Sequence, residues 1–164
     1  MNIAFRVDAS KEIGTGHFER CITLANQLKP FCSNIIFVSR HLFDHLKTTI
    51  KKRGFHFIIL NSPYKNESKS EHFHSHWLGV SQKKDAFECI EALSKYLCNW
   101  IIVDHYALDY IWESHLRKIS KKILVIDDLA DRKHNCDMLL DQNFYKNKEK
   151  RYIQKVPKNC KMLL

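Results

Sequence analysis

Ile13-Gly14-Thr15-Gly16-His17-Phe18-Glu19-Arg20 is the stretch on which the reading of this chain turns. It follows a short apolar run, residues 3–7, and leads into Phe18, Cys21, Ile22, Ala25 and Leu28, whose spacing is that of one helix face. Strand, glycine loop and helix are expected in that order. Two of the chain's four glycines lie here, where the backbone must turn sharply and can come close to a ligand. Gly14 and Gly16 would leave unpaired N–H groups at the helix start, a place that favours anions. His17 stands in that first turn, with Asp8 just past the strand and Arg20 one turn further on, so base, carboxylate and cation can converge at one sheet edge. The alternative is that the glycines only make a tight connection and His17 touches solvent, because a Gly-x-Gly without a third glycine is weak as a dinucleotide fingerprint.

Outward from that loop the same unit repeats. Pro30 stops the first helix, a β-branched and aromatic run occupies residues 34–38, and Leu42, Leu46 and Ile50 mark a second helical face. A third strand is expected at 55–60, then a polar surface insertion at 61–75 rich in Ser, Asn, Lys and His. A helix over 83–97 would turn Ala86, Phe87, Ile90, Leu93 and Leu97 inward. Residues 100–103 read as a strand buried on both faces and ended by Asp104. Leu108, Ile111, Trp112, His115 and Ile119 mark the next helix; residues 123–126 form a strand closed by Asp127 and Asp128, and 136–140 one more. This alternation predicts an α/β fold, a Rossmann-like, mostly parallel sheet with helices on both faces. Ligands of such sheets bind outside the carboxyl ends of the strands. Asp8 with the glycine loop, then Asp104, His105 and Tyr106, then Asp127 and Asp128 all fall there. Asp128 as a helix N-cap is the plainer reading of that residue.

Composition bounds the rest. At 164 residues and 45% hydrophobic content the chain can bury one core, and a single domain is expected. The absence of a basic-then-apolar leader and of any membrane-length apolar run suits a soluble, cytoplasmic chain with no membrane partner. Six cysteines without a Cys-x-x-Cys pair suit reduced thiols. The net charge of +9 and pI near 9.3 would suit an anionic partner, but Lys and Arg are scattered. His72, His74 and His76 alternate as metal ligands can, yet nothing nearby closes a ligand set, so no metal is expected. The basic segment from Lys146 to Lys161, with Tyr145 and Tyr152 interleaved, is interrupted by Glu149 and carries no nucleic-acid signature; a solvated surface is favoured over nucleic acid.

Five blocks carry a family resemblance. They are 5–10 with 13–17, Arg20 and Cys21; 77–82 with Asp85 and Ala86; 103–109 with Trp112 and Glu113; 125–132; and Cys136-Asp137 with 139–143, ending in Asn143. In order and spacing these are similar to the pseudaminic acid pathway UDP-sugar hydrolases, which act on UDP-2,4-diacetamido-2,4,6-trideoxy-β-L-altropyranose. That family in turn resembles the two-Rossmann-domain (GT-B) glycosyltransferases, so the chain resembles the N-terminal domain of such an enzyme. The resemblance implies water adding at the anomeric carbon, the carbon–oxygen bond breaking and UDP leaving, with no metal or other cofactor. His17 matches the family's proposed general base, which suits a group titrating near neutral pH. Asp8 or Asp104 would orient it or stabilise charge on the sugar ring. Arg6, Arg20, Tyr106 and Asn143 are the expected contacts to the sugar, with Gly14, Gly16, Asp127 and Asp128 completing the substrate rim; His105 is expected to pack.

The departure from the family is length, since its members carry a second domain of similar size that holds most of the nucleotide. The expected division is a base-bearing domain at 1–145, containing the 61–75 insertion, followed by a basic tail or interdomain connection at 146–164. Expected partners are the UDP-linked diacetamido-trideoxy sugar and a separately encoded C-terminal domain. On this reading the chain is inactive without that domain. A non-catalytic sugar-binding or partner-docking remnant is the competing reading.

Overall fold

The interior strand β1 (Asn2–Val7) is buried along nearly its whole length, as a strand covered on both faces must be. The computed structural model of the chain describes residues 1–62 and 73–164. After β1 come α1 (Gly16–Leu28), β2 (Asn34–Ser39), α2 (Asp44–Lys52), β3 (His56–Ile59), α3 (Gln82–Leu93) and β4 (Cys98–Asp104). They are followed by α4 (Tyr110–Leu116), β5 (Ser120–Ile126), β6 (Met138–Leu140), α5 (Lys148–Arg151) and β7 (Lys161–Leu163). All seven strands pair in parallel in the order β3-β2-β1-β4-β5-β6-β7. The chain leaves β1 toward one edge and later returns to β4 beside it, so the strand order reverses between β1 and β4. In open parallel sheets the crevice for ligands opens at that reversal. The expected Rossmann-like fold is the one found.

Two cores flank the sheet, and the period-2 alternation of strands sorts residues between them. Ile3, Phe5 and Val7 of β1 join Phe18, Cys21, Ile22 and Ala25 of α1 and Leu46 and Ile50 of α2. Phe5 and Phe37 stack there at 5.0 Å, each burial contributing about 1.5–3 kcal/mol. Ala4 of β1 joins the opposite core, with Ala86, Cys89 and Leu93 of α3 and Trp112 and Leu116 of α4. Register carries the same sorting across strands: Val7 lies beside Asp104 and Arg6 beside Val103. Asp104 therefore faces α1, whereas Arg6 faces α3.

Several local expectations change. α3 ends at Leu93, and Leu97 and Phe87, expected inward, are exposed. Cys89 takes the inward place, since Ala86, Cys89, Ile90 and Leu93 make the i, i+3, i+4, i+7 stripe and Phe87 lies off it. The polar insertion falls mostly outside the described residues, His72 included; residues 75–78 form a 3-10 turn closed by Gly79 at φ 74. Residues 146–164, expected as a tail or connection, carry α5, the fully buried Tyr152 and the seventh strand. Tyr152 packs in the α3/α4-side core while its hydroxyl donates to Asp127 and Asp141, so the lysines around it form the outer side of a packed segment. Among the described residues no helix is long and apolar enough to cross a membrane.

Candidate functional site

Gly14 adopts φ 79, the left-handed region that glycine enters at little cost, and its N–H donates to the Ser10 carbonyl at 2.8 Å. This turn brings the chain from the end of β1 into α1. Gly16 opens the helix, and a Cβ there would meet nothing within 4 Å, so packing alone does not demand glycine. Thr15, the N-cap, makes no side-chain capping bond. His17 follows, and helical spacing stacks Arg20 and Cys21 one turn above it on the face turned to β4.

On that face Asp104, at the end of β4 and fully buried, accepts from three side chains. His17 Nδ1 lies 2.5 Å from Oδ1, and Arg20 binds in fork fashion, Nε to Oδ2 at 2.5 Å and a terminal nitrogen to Oδ1 at 2.6 Å. The Cys21 thiol donates to Oδ2 at 3.6 Å. Burial alone would raise the Asp104 pKa; the hydrogen bonds from Arg20 and His17 outweigh it and hold the carboxyl below the usual range. An Arg20 terminal nitrogen also lies 3.2 Å from Nδ1, but the ionised carboxylate at 2.5 Å is the nearer and stronger partner and places the proton on that nitrogen. Nε2 is then the basic nitrogen, and it has no hydrogen-bond partner among the described residues. Arg20, raised above its ordinary value by Asp104 despite its partial burial, keeps the charge balanced.

Around this pair stand aromatic rings and a polar rim. Tyr106, two residues past Asp104, meets His17 edge to face at 4.5 Å, and Trp77 does so at 6.3 Å. The Tyr106 hydroxyl donates to Asp128, which also accepts from Asn143 Nδ2 at 2.9 Å and lies 3.7 Å from Arg20. Burial and the Asp128 carboxylate push the Tyr106 pKa well up, so it stays a phenol. Asp128 is thus no helix cap: no helix follows it directly, and its carboxylate gathers Tyr106 past β4, Asn143 past β6 and Arg20 of α1. Gly16 and Arg20 also border an open groove of about 550 Å³ floored by Leu24, Ile126 and Leu140.

The remaining expected site residues are placed elsewhere. Asp8, expected beside Asp104 as a carboxylate for His17, lies on the α3 side of the sheet and is 1% exposed. It accepts from Arg6 at 2.6 Å, from the Arg40 backbone N–H at 2.7 Å and from His105 Nε2 at 3.1 Å. Arg6, expected on the sugar, instead bridges Asp8 and Asp85, the latter at 2.8 Å. Asp85 further accepts from Arg40 and from the Trp112 indole, both at 2.8 Å. Although burial works against ionisation of Asp8 and Asp85, the adjacent Arg6 charge outweighs it and both titrate below the usual range. Asp127 is fully buried, tied to Arg132 at 2.9 Å and to the Ala130 N–H at 2.9 Å. His17, Arg20, Asp104, Tyr106, Asp128 and Asn143 come together; Arg6, Asp8 and Asp127 lie beneath them as packed ion pairs. Asp85 and Trp77, both inside quoted sequence blocks, had no assigned role because nothing local marks what a side chain meets across the sheet.

No protein-family model matches the chain. Over 163 residues it is 26% identical to the UDP-2,4-diacetamido-2,4,6-trideoxy-β-L-altropyranose hydrolase of Campylobacter jejuni, a match covering 99% of this chain and 48% of that enzyme. The chain spans about half the length of that relative. Among solved structures, the crystal structure of Acinetobacter baumannii MurG matches with a TM-score of 0.54 at 7% identity, over 89% of this chain and 43% of that one. At that identity the likeness is one of fold. The resemblance read from the five sequence blocks is borne out: the chain has a Rossmann-like fold of the GT-B kind and is distantly similar in sequence to part of a UDP-sugar hydrolase.

Proposed function

We propose that this chain is the base-bearing half of a nucleotide-sugar hydrolase that converts UDP-2,4-diacetamido-2,4,6-trideoxy-β-L-altropyranose to UDP and the free sugar, a step of pseudaminic acid biosynthesis in the cytoplasm. The observation that carries the proposal is the His17–Asp104 pair at the reversal of strand order, with Nδ1 held by a carboxylate and Nε2 without a partner among the described residues. His17 Nε2 takes a proton from the attacking water as its oxygen bonds to the anomeric carbon. Asp104 keeps the imidazole in the required tautomer and stabilises the imidazolium as it forms. The anomeric carbon–oxygen bond breaks with its electron pair going to UDP, an anion stable enough to leave with little acid assistance. Tyr106, Asp128 and Asn143 meet the hydroxyl and acetamido groups of the sugar, and the start of α1 at Gly14 and Gly16 lies toward the diphosphate. Arg6, Asp8 and Asp127 hold the rim from beneath. The nucleotide is gripped chiefly by a second domain, encoded separately or in continuation, which brings the reacting carbon to His17.

The test joins this chain to the part of the Campylobacter jejuni relative that it does not span and measures UDP release from the nucleotide sugar. Release by the joined protein, with none by the 164-residue chain alone, is the expected result. A joined protein that folds and binds UDP but releases none from the nucleotide sugar contradicts the proposal.

A further inference from the structure

The aromatic residues beside His17 are arranged unlike those of the cores. Trp112 is 1% exposed with its indole N–H bound to Asp85, the usual state of a tryptophan that packs. Trp77 is half-buried, on the short turn Ser75–Leu78, and its indole N–H has no hydrogen-bond partner among the described residues. Its ring lies nearly parallel to Tyr106, 5.8 Å away and 26° between planes, and it is braced on another side by His74 at 4.4 Å. His74 also touches Tyr106 at 5.2 Å. The turn is tied to the glycine loop by His76 and Glu12, 2.8 Å apart. Three rings from two separated segments thus form one wall against the edge of the imidazole, and Trp77 is its partly open member.

Such a wall has a definite chemical taste. The negative face of an indole attracts the slightly positive C–H bonds on the apolar side of a pyranose, and its N–H can donate to an amide carbonyl. A fully hydroxylated sugar offers the first feature without the second; an acetamido sugar offers both, together with methyl groups whose burial contributes further.

Resting on the hydrolase reading above, we propose that Trp77, braced by His74 and Tyr106, is a specificity-determining wall of the His17 site that takes the C–H face and an amide carbonyl of an acetamido-substituted pyranose. Trp77 selects the sugar and leaves the proton transfer to His17. A side chain that only propped Tyr106 in place would affect every ligand alike.

The experiment is a titration of the 164-residue chain, followed by ¹H–¹⁵N spectra in which the three indole N–H signals are assigned by single Trp→Phe variants. The probes are UDP-2,4-diacetamido-2,4,6-trideoxy-β-L-altropyranose, UDP-glucose and UDP. The diacetamido sugar should shift the Trp77 indole signal and leave that of Trp112 in place. Trp77→Ala should weaken binding of that ligand by about 10-fold or more, the range of a lost aromatic contact. Trp77→Phe, which keeps a ring and loses the N–H, should fall between and narrow the preference over UDP-glucose; UDP affinity should stay unchanged in both. Should Trp77→Ala fail to fold, the Trp77 signal and the Trp77→Phe preference decide. If the diacetamido sugar moves His17 and Tyr106 signals while the Trp77 signal and the variant affinities stay as in the parent, the wall is refuted and the hydrolase reading stands. If it moves none of these signals at millimolar concentration, the wall is refuted, and the hydrolase reading, in which a second domain grips the nucleotide, is decided by the joined-protein test above.

Discussion

Two histidine–aspartate pairs sit at the carboxyl ends of β1 and β4, and they differ in how much of each imidazole is occupied. His105 is 3% exposed; Nε2 donates to Asp8 and Nδ1 accepts the Ala107 N–H at 3.1 Å. Both nitrogens are taken, and Asp8 is tied through Arg6 to Asp85, Arg40 and Trp112. His17 gives only Nδ1 to Asp104, its other nitrogen has no hydrogen-bond partner among the described residues, and the Tyr106 and Trp77 rings meet the imidazole edge to face. A buried polar network with every partner present rigidifies a fold; a pair with one valence left over can do chemistry on something that is not the protein. The same two residue types thus make a brace on one side of the sheet and a reactive pair on the other.

The contrast breaks first at Asp85, which joins Arg6, Arg40 and Trp112. Asp85→Ala should cost roughly 3–5 kcal/mol, because it removes the buried carboxylate that Arg6, Arg40 and the Trp112 indole share and leaves one negative charge fewer against two buried guanidinium groups, and urea unfolding measures it; a loss under about 1 kcal/mol would mean the sealed network is no brace. Asp104→Asn should cost less, about 1.5–3 kcal/mol for charged hydrogen bonds, since Arg20 keeps access to water and to Asp128. Both values come from the same unfolding series.

Acid titration sharpens the comparison further. The pKa of His105 is lowered, chiefly by burial, so its contribution is fully present above the ordinary value near 6.5 and is lost as pH falls below it. The lowered pKa values of Asp8, Asp85 and Asp104 act later: their contribution is present above about 4 and is lost as pH falls below that toward the folded-state values. Unfolding midpoints should therefore decline in two stages, and His105→Gln should flatten the first. The smallest expected effect is at the glycine loop, where Gly14→Ala forces an alanine to φ 79 and should cost about 1 kcal/mol. Gly16→Ala, with open space for the added carbon, should change stability by less than about 0.5 kcal/mol.

The strand–helix alternation was readable because its apolar residues keep strict periods; His17 and Asp104 were readable because each falls at an element's end, and Arg20 because it stands one helical turn past His17. The choice between Asp8 and Asp104 was not. Both follow strand runs, and the sheet face each side chain takes depends on pleat parity together with the register that sets Val7 beside Asp104. Register is a property of two strands 97 residues apart, so it has no local signature. Arg6 was misplaced on the sugar for the same reason. Tyr152 was hidden by the lysines around it, which mark the outer side of a segment whose inner side is one tyrosine and a three-residue strand. Trp77 lay within a legible block, but its role comes from rings that only the fold assembles.

The most direct measurement compares the two histidines in the joined two-domain protein, by UDP release from the nucleotide sugar at saturating substrate. His17→Asn should lower kcat by about 10²- to 10⁴-fold, the range of a positioned general base, with UDP affinity nearly unchanged. His105→Asn should leave kcat within a few-fold once the protein is folded. Near-full turnover in the His17 variant, or an equal loss in both, would contradict the assignment of the half-occupied imidazole as the base.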